Sequence, residues 1–309
     1  MNGILNLNKP AGFSSHDMVS FTRKLLNEKG VGHTGTLDPI ATGVLPVLVG
    51  NSTKLCEMLS GQDKKYRAVL RLGIVTDTMD ITGNIIKQSD IVPDESDVLD
   101  AVQSFTGEIL QTPPIYSAIK INGRKLYEYA RKGIEINPEP RKISVYSIEA
   151  CKINSLEYEL DIYCSKGTYI RSLCNDIGEK LKCGGTMSAL TRISSGNFDI
   201  KDSFSPEYLE EIKSQRGTDG LRSLLISPEE MLKNIIFKSV ILDEVYSKQA
   251  KNGAAIYISK TSGYTKIEDD IVFNTGDKIL MYDSSQTFFA VGEVGEYNNE
   301  FAFKVKIFL

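Results

Sequence analysis

The stretch from 201 to 236 divides the chain. It is charged, its apolar residues fall at helical spacing, and Pro206, Gly217, Gly220 and Pro228 interrupt it. Strand-like and helix-like segments are mixed before it. After it the sequence is mostly alternation, in "DKILMYD", "TFFAVGEV" and "FAFKVKIFL". A chain of 309 residues is long for one compact core and comfortable for two. The boundary is therefore expected near 236, with a large domain over 1–236 and a small one over 237–309. Short strands separated by Gly, Asn and Asp turns make the second a small β-barrel of about 70 residues.

Within the first part, residues 3–8 read as a strand that ends in the turn Lys9-Pro10-Ala11-Gly12. Ser14 or Ser15 is placed to cap a helix reaching about Asn27, and Ser52 a second one to Ser60. Tyr66, Ala68, Leu70 and Leu72 alternate with Arg67 and Arg71, the pattern of a half-buried strand. Residues 95–105 and Thr168–Leu181 have helical spacing, and 142–164 read as two strands. Residues 111–133 hold a double proline, an Asn-Gly turn and a short helix.

Composition removes several classes of function. The cysteines, Cys56, Cys151, Cys164, Cys174 and Cys183, are odd in number and form no C-x-x-C, so neither a disulfide framework nor a zinc ribbon is expected. His16 and His33 are too few for a histidine-rich metal site. No run approaches the roughly 18 apolar residues of a membrane span, and the N-terminus lacks a basic region followed by an apolar one. The cytoplasm is the expected compartment. A net charge of −4 argues against a strong nucleic-acid binder, but its distribution is uneven. Lys120, Arg124, Lys125, Arg131, Lys132, Arg141 and Lys142 are opposed locally only by Glu128, Glu135 and Glu139.

The segment "GHTGTLDPIATGVL" (32–45) crowds a turn around one carboxylate. It contains neither a P-loop nor a Rossmann glycine pattern. Pro39 fixes its own φ and biases Asp38 away from the helical region. Gly35 and Gly43 allow close approach of backbone or ligand, and Thr34, Thr36 and Thr42 can bond locally. On this string alone, a preorganised nucleophilic or acid/base carboxylate and a plain Asp-Pro turn before a buried helix both fit.

Other stretches follow in order: "NKPAG" (8–12), "KYRAVLRLG" (65–73), "TDTMDITG" (76–83), "YSAIKINGRKLYEYARKG" (116–133) and "CSKGTYIRSL" (164–173). With residues 32–45, they closely resemble the bacterial-type tRNA pseudouridine synthases that modify uridine 55 in the T loop, from about residue 2 to 200. The tail is similar to a PUA-type RNA-binding domain. The resemblance implies an α+β fold: a mixed, mostly antiparallel central sheet with flanking helices, then a small PUA-like β-barrel.

It also implies roles. Asp38 would attack the target nucleoside, and Arg171 would pair with that carboxylate. Tyr66 would stack on the flipped base and help remove the C5 proton. Tyr169 and Asp80 would pack against or hydrogen-bond the base, and Leu190 would line the pocket. His33 would fill space that the nucleotides leave, while Lys9 and Pro10 support the floor of the site.

Elementary chemistry is consistent with these roles. The reaction breaks an N-glycosidic bond, turns uracil and makes a C–C bond, so a nucleophile and a proton carrier suffice. No metal and no cofactor are expected. An arginine favours the ionised form of a buried aspartate. A phenol is a better stacking surface than a base at neutral pH. Lys120, Arg124, Lys125, Arg131 and Lys132, in an insertion over about 111–142, fit an RNA-backbone clamp with Tyr116, Tyr127 and Tyr129 interleaved. A solvated helical face over core tyrosines fits the same residues.

The expected partner is the T-arm stem-loop of tRNA, with no membrane and no obligate protein partner. Two other readings stand beside the enzyme. One is a tRNA-binding or folding chaperone at the elbow, which has no need of a carboxylate near a polyanion. The other is a hydrolase holding Mg²⁺ between Asp38, Asp77 and Asp80.

Overall fold

The structure, a computed structural model, describes residues 1–134, 136–258 and 273–309. Glu135, one of the three acids counted above, and residues 259–272 of the tail lie outside the described residues.

The chain opens with β1 (Gly3–Lys9), α1 (Ser15–Leu26), β2 (Val31–His33), β3 (Thr42–Val49), α2 (Cys56–Ser60) and β4 (Lys64–Leu72). A small hairpin, β5 (Ile74–Thr76) and β6 (Ile85–Gln88), leads to α3 (Glu95–Gln103) and β7 (Gly107–Gln111). A second small hairpin, β8 (Lys120–Ile121) and β9 (Arg124–Lys125), runs into the one-turn helix α4 (Leu126–Ala130). Then come β10 (Arg141–Lys152), β11 (Glu157–Cys164), α5 (Ile170–Lys180), β12 (Gly185–Ser195), β13 (Phe198–Asp199), α6 (Pro206–Arg222) and α7 (Pro228–Lys233).

The fold is mixed α+β around a central sheet ordered β1-β3-β12-β4-β11-β10-β7, with β2 beside β3 and β13 beside β12. Its neighbours are antiparallel except β3 and β12, which run parallel at Thr42–Thr191 and Gly43–Arg192. Gly43 makes that splice possible: at φ 98, a Cβ there would stand 2.3 Å from the Arg192 carbonyl oxygen. On β4, Lys64, Tyr66, Ala68, Leu70 and Leu72 all point inward, as the period of two requires.

One core lies between the sheet and α3 and α5, with Leu70, Val98, Leu160, Leu173 and Ile177 buried in it. A second packs α1 and α6 against β1 and β3 through Val19, Leu26, Leu45 and Leu209. Helix α1 starts as the sequence suggests: Ser14 and Asp17 form a capping box. The second expected helix differs. Residues Gly50–Leu55 form a 3₁₀ turn before α2, and α2 starts with no side-chain cap. The tighter turn places Ser52 inside, with its hydroxyl unpaired among the described residues.

In the tail, β14 (Ser239–Ile241), α8 (Glu244–Lys251), β15 (Ile256–Tyr257), β16 (Lys278–Tyr282), β17 (Phe288–Tyr297) and β18 (Glu300–Phe308) follow. The strands form a separate sheet ordered β14-β16-β17-β18-β15. Val240, Ile279 and Phe303 belong to its own core. Leu280 and Val291 are instead buried with Ile4, Leu48, Leu55 and Leu232, which ties the tail sheet to the body. No described helix is long and apolar enough to cross a membrane.

Candidate active site

Asp38 sits in the loop between β2 and β3, and neighbouring elements hold that loop. The Ser15 hydroxyl, at the start of α1, donates to the Leu37 carbonyl (3.1 Å) and accepts from the Leu37 N–H (2.8 Å). Lys9 is fully buried at the end of β1. Its ammonium donates to the carbonyls of Pro10 (2.8 Å), Phe13 (2.7 Å) and Pro39 (3.3 Å). The Gly12 N–H also reaches the Pro39 carbonyl, at 2.8 Å. Lys9 thus joins the turn after β1 to the residue following Asp38. Burial lowers its pKa to about 8, against the pull of Asp38.

The threonines contribute less than the sequence suggests. Thr42 bonds the Thr191 hydroxyl at 2.9 Å. The Thr34 hydroxyl is buried without a partner among the described residues, and Thr36 is exposed. Donors from β1, the turn after it and α1 fix the loop from outside, so its own hydroxyls are not needed for that.

Arg171, in the first turn of α5, grips Asp38 with a fork: Nε to Oδ2 at 2.9 Å and Nη2 to Oδ1 at 3.2 Å. Its other donors go to the Thr78 carbonyl (3.1 Å) and the Tyr116 carbonyl (2.8 Å). Nη1 lies 3.8 Å from Asp80 Oδ2. The arginine side chain is 6% exposed and that of Asp38 32%. A two-pronged pair fixes orientation as well as charge. Burial pushes the Asp38 carboxyl pKa up, and the Arg171 guanidinium pulls it back toward the ionised form.

Asp80 Oδ1 accepts from the Thr78 hydroxyl (3.0 Å), the Thr82 N–H (3.0 Å) and the Thr82 hydroxyl. Asp77 turns to the Asn84 N–H (2.9 Å) and side-chain amide (3.0 Å). The three carboxylates of the Mg²⁺ reading therefore do not converge. Among the described residues, no group of three or more His, Cys, Asp or Glu is placed to hold a metal.

Asp38 and Arg171 border a cavity of about 400 Å³, whose walls also include Tyr66, Tyr116, Tyr169 and Leu190. Tyr66 pairs in register with Arg192, and Leu190 with Ala68. Burial raises the Tyr66 pKa, with Arg192 opposing, so the phenol stays neutral. Tyr169 stands just before α5. Its backbone is clamped by Gln111, which accepts from its N–H at 2.8 Å and donates to its carbonyl at 3.0 Å.

The other predicted residues lie further from the cavity. Asp80 reaches the site through Arg171. His33 ends β2 one loop before Asp38, and its Nδ1 is buried without a partner among the described residues. Burial lowers its pKa. Lys120, Arg124, Arg131 and Lys132 are exposed. Lys125 and Arg131 stand 5.4 and 5.3 Å from the centre of the Tyr127 ring, and Tyr127 is itself part of the cavity wall.

Sequence reasoning missed three buried polar side chains around this cavity: Gln111, Lys64 and Arg192. Strand parity was the available signal for two of them. Lys64 lies two residues from Tyr66, and Arg192 two from Leu190, so each shares a face with a predicted site residue.

The family model of the TruB family pseudouridylate synthase (N terminal domain) matches residues 23–170. That of the tRNA pseudouridylate synthase B C-terminal domain matches 171–233. The chain belongs to the TruB family of pseudouridylate synthases. As a TruB-family member it is an isomerase. Among its relatives, tRNA pseudouridine synthase B of Clostridium kluyveri is 42% identical over 314 residues and covers all of both chains. That of Alkaliphilus oremlandii is 48% identical over 257 residues, 83% of each chain. A solved Cbf5-Nop10-Gar1 complex contains a chain with the same fold, at TM-score 0.71 and 26% identity, covering 99% of this chain and 85% of that one. Asp38, Tyr66 and most of the Arg171 environment fall within the first matched segment; Arg171 opens the second.

Proposed function

We propose that the protein isomerises uridine 55 in the T loop of tRNA to pseudouridine, with Asp38 as the nucleophile on a flipped-out base. The observation that carries this reading is the Asp38–Arg171 fork at the wall of a cavity that also presents Tyr66, Tyr169 and Leu190. Relatives named tRNA pseudouridine synthase B across the whole chain support the substrate class. In this reading the carboxylate attacks C6 or C1′. The N-glycosidic bond breaks, the ring turns and C5 bonds to C1′; the Asp38–carbon bond breaks to regenerate the carboxylate, and C5 loses a proton while N1 gains one. No cofactor is needed, because nothing is oxidised and no group is lost.

Turning the nucleotide out of the RNA costs a few kcal/mol. His33, beside the Asp38 loop, fills the vacated space, and Lys9 and Pro10 support the floor. Tyr66 stacks on the base, while Asp80, Tyr169 and Leu190 shape its pocket. Lys120, Arg124, Lys125, Arg131 and Lys132 hold the backbone of the T arm. The tail over 237–309 acts as a PUA-like domain that widens the RNA footprint, and 1–236 is the catalytic domain. The protein works in the cytoplasm without an obligate protein partner.

The test is to map pseudouridine in a T-arm stem-loop transcript and in loops with the target uridine moved by one position. Conversion only at the position of uridine 55 is expected. Conversion at other positions would remove the site assignment. Tight binding with no conversion would favour the RNA-folding reading.

A further inference from the structure

Three cations are buried around the floor of the cavity: Lys9, Lys64 and Arg192, with 0%, 6% and 1% of their surface exposed. None of them forms an ion pair among the described residues. Lys9 donates to three carbonyls and stands outside the cavity wall. Lys64 and Arg192 are part of that wall. The Lys64 ammonium donates to the carbonyls of Ser60 (2.9 Å) and Gln62. Arg192 donates from Nε to the Val44 carbonyl (2.6 Å) and from Nη2 to the Gly35 carbonyl (3.2 Å), and it faces the Tyr66 hydroxyl. Gly35, at φ 97, has the left-handed backbone that favours glycine, and its carbonyl is turned to the guanidinium.

A buried charge with no counter-charge is costly. Here two like charges repel as well. Burial and Arg192 lower the Lys64 pKa to about 8, against Cys164 and Asp63, with Lys166 adding to the drop. The cavity is therefore unequal. At one end, Arg171 is answered by Asp38 and Asp80. At the other, Arg192 and Lys64 have no ion-pair partner among the described residues: Arg192 is met by carbonyls and the Tyr66 hydroxyl, and Lys64 by carbonyls, with Asp63 acting on it less than Arg192 does. Tyr66 stands between, and it feels the Arg192 charge ahead of that of Asp38.

The proposed reaction moves one negative charge. It begins on Asp38. When a carboxylate oxygen bonds to the nucleoside, its electron pair enters the new bond. If the bond forms at C1′, the C1′–N1 pair leaves with the ring as a uracil anion. If it forms at C6, the C5–C6 π pair passes to the C4 carbonyl oxygen. On either route Asp38 becomes neutral and the ring carries the charge, shared by O4.

We propose that Arg192, supported by Lys64, is a catalytic residue that binds the anionic oxygen of the uracil ring. It would thereby stabilise the charge that leaves Asp38. Fixed donors placed where charge develops, in a site shielded from water, give large rate effects. The inference rests on the pseudouridine-synthase reading of this cavity.

The experiment measures single-turnover rate and RNA affinity on the full chain with a T-arm stem-loop. The proteins are wild type, Arg192→Lys, Arg192→Met and Lys64→Met. Arg192→Met is expected to slow the reaction by about 100-fold or more with Kd within about threefold. Arg192→Lys keeps most of the rate, and Lys64→Met loses about tenfold. Should the Arg192 variants not fold, Lys64→Met carries the test alone, and a wild-type rate in it overturns the proposal.

Four results with folded variants would also overturn it. One is a wild-type rate in Arg192→Met. Another is equal impairment of the Lys and Met variants with matching losses of thermal stability, which is a structural role. A third is a loss confined to Kd that vanishes when a phosphate beside the target is a neutral methylphosphonate; the ligand is then RNA phosphate. The last is no further loss when Arg192→Met is added to Tyr66→Phe, which makes Arg192 a positioning residue for the tyrosine. A wild-type protein that binds the RNA without converting it would instead fail the functional reading itself.

Discussion

The loop carrying Asp38 and the stretch carrying the basic residues border the same cavity, yet they are built in opposite ways. Residues 37–39 are held by Ser15, Lys9, Gly12 and Arg171, through bonds that are mostly buried. The basic stretch presents Lys120, Arg124 and Lys132 to solvent, and its helix α4 has five residues and no side-chain cap. A nucleophile must be placed to a fraction of an ångström. Attraction to a phosphate tolerates a loosely held charge. On the proposed function the two regions divide the work: one sets rate and the other sets affinity.

Removing the fork should have the largest effect. Arg171→Met strips Asp38 of its counter-charge and leaves the Thr78 and Tyr116 carbonyls without their donor. Turnover is expected to fall about 10²- to 10³-fold. The acid limb of the pH–rate profile should also shift to higher pH. Burial already raises the Asp38 pKa, Arg171 opposes that rise, and in the proposed mechanism only the ionised form attacks. A pH–rate profile unchanged in height and position would break the comparison.

Lys9→Met tests the loop without touching the carboxylate. It takes the ammonium from the Pro10 and Phe13 carbonyls and leaves the Pro39 carbonyl to Gly12 alone, and chemical denaturation should show a loss of about 2–4 kcal/mol. Turnover should drop less than in Arg171→Met. A stable protein with normal turnover would mean that Ser15 and Gly12 suffice to hold the loop.

On the opposite side, replacing Lys120, Arg124 and Lys132 together by alanine should weaken RNA binding about tenfold. The slope of log K against log salt should flatten by about 2 to 3, while the rate at saturating RNA stays within about twofold. A fall in the saturated rate at constant affinity would show that the exposed stretch also positions the chemistry.

The smallest effect lies in the scaffold that both regions share. On α5, burial and the neighbouring Glu179 raise the Asp176 pKa from 3.8 to about 6. The folded state therefore favours the protonated acid, and stability falls as pH rises through about 6. Asp176→Asn should stabilise the fold by about 1–2 kcal/mol, allowing for solvent screening, in melts above pH 6. The gain should fade below about pH 4, where the wild-type acid is protonated in both states. A gain independent of pH would locate the effect outside this ionisation.

The sequence made these regions legible to different degrees. The helix cap at Ser14 or Ser15, the strand at Tyr66–Leu72 and the helical spacing over 95–105 and 201–236 are local signals, and the structure has helices or a strand within these stretches. The Asp38–Arg171 pair joins residues 133 apart. Spacing carries no information at that distance, and only the family resemblance brought the two together. The Ser52 helix cap failed because a serine before apolar residues looks alike whether the turn is α or 3₁₀. Arg192 was hidden for a different reason: a charged residue in a strand reads as outward-facing, and the parity with Leu190 that reverses this reading is meaningful only once Leu190 is known to point inward.

The central claim is that the crowded turn at 34–41 exists to hold one nucleophile. The most direct measurement is the single-turnover rate of Asp38→Asn beside its Kd for a T-arm stem-loop. The side chain keeps its shape and loses its charge. Conversion abolished with binding within a few-fold of wild type is the result expected. Conversion at a rate near wild type would make Asp38 a structural residue and contradict the account.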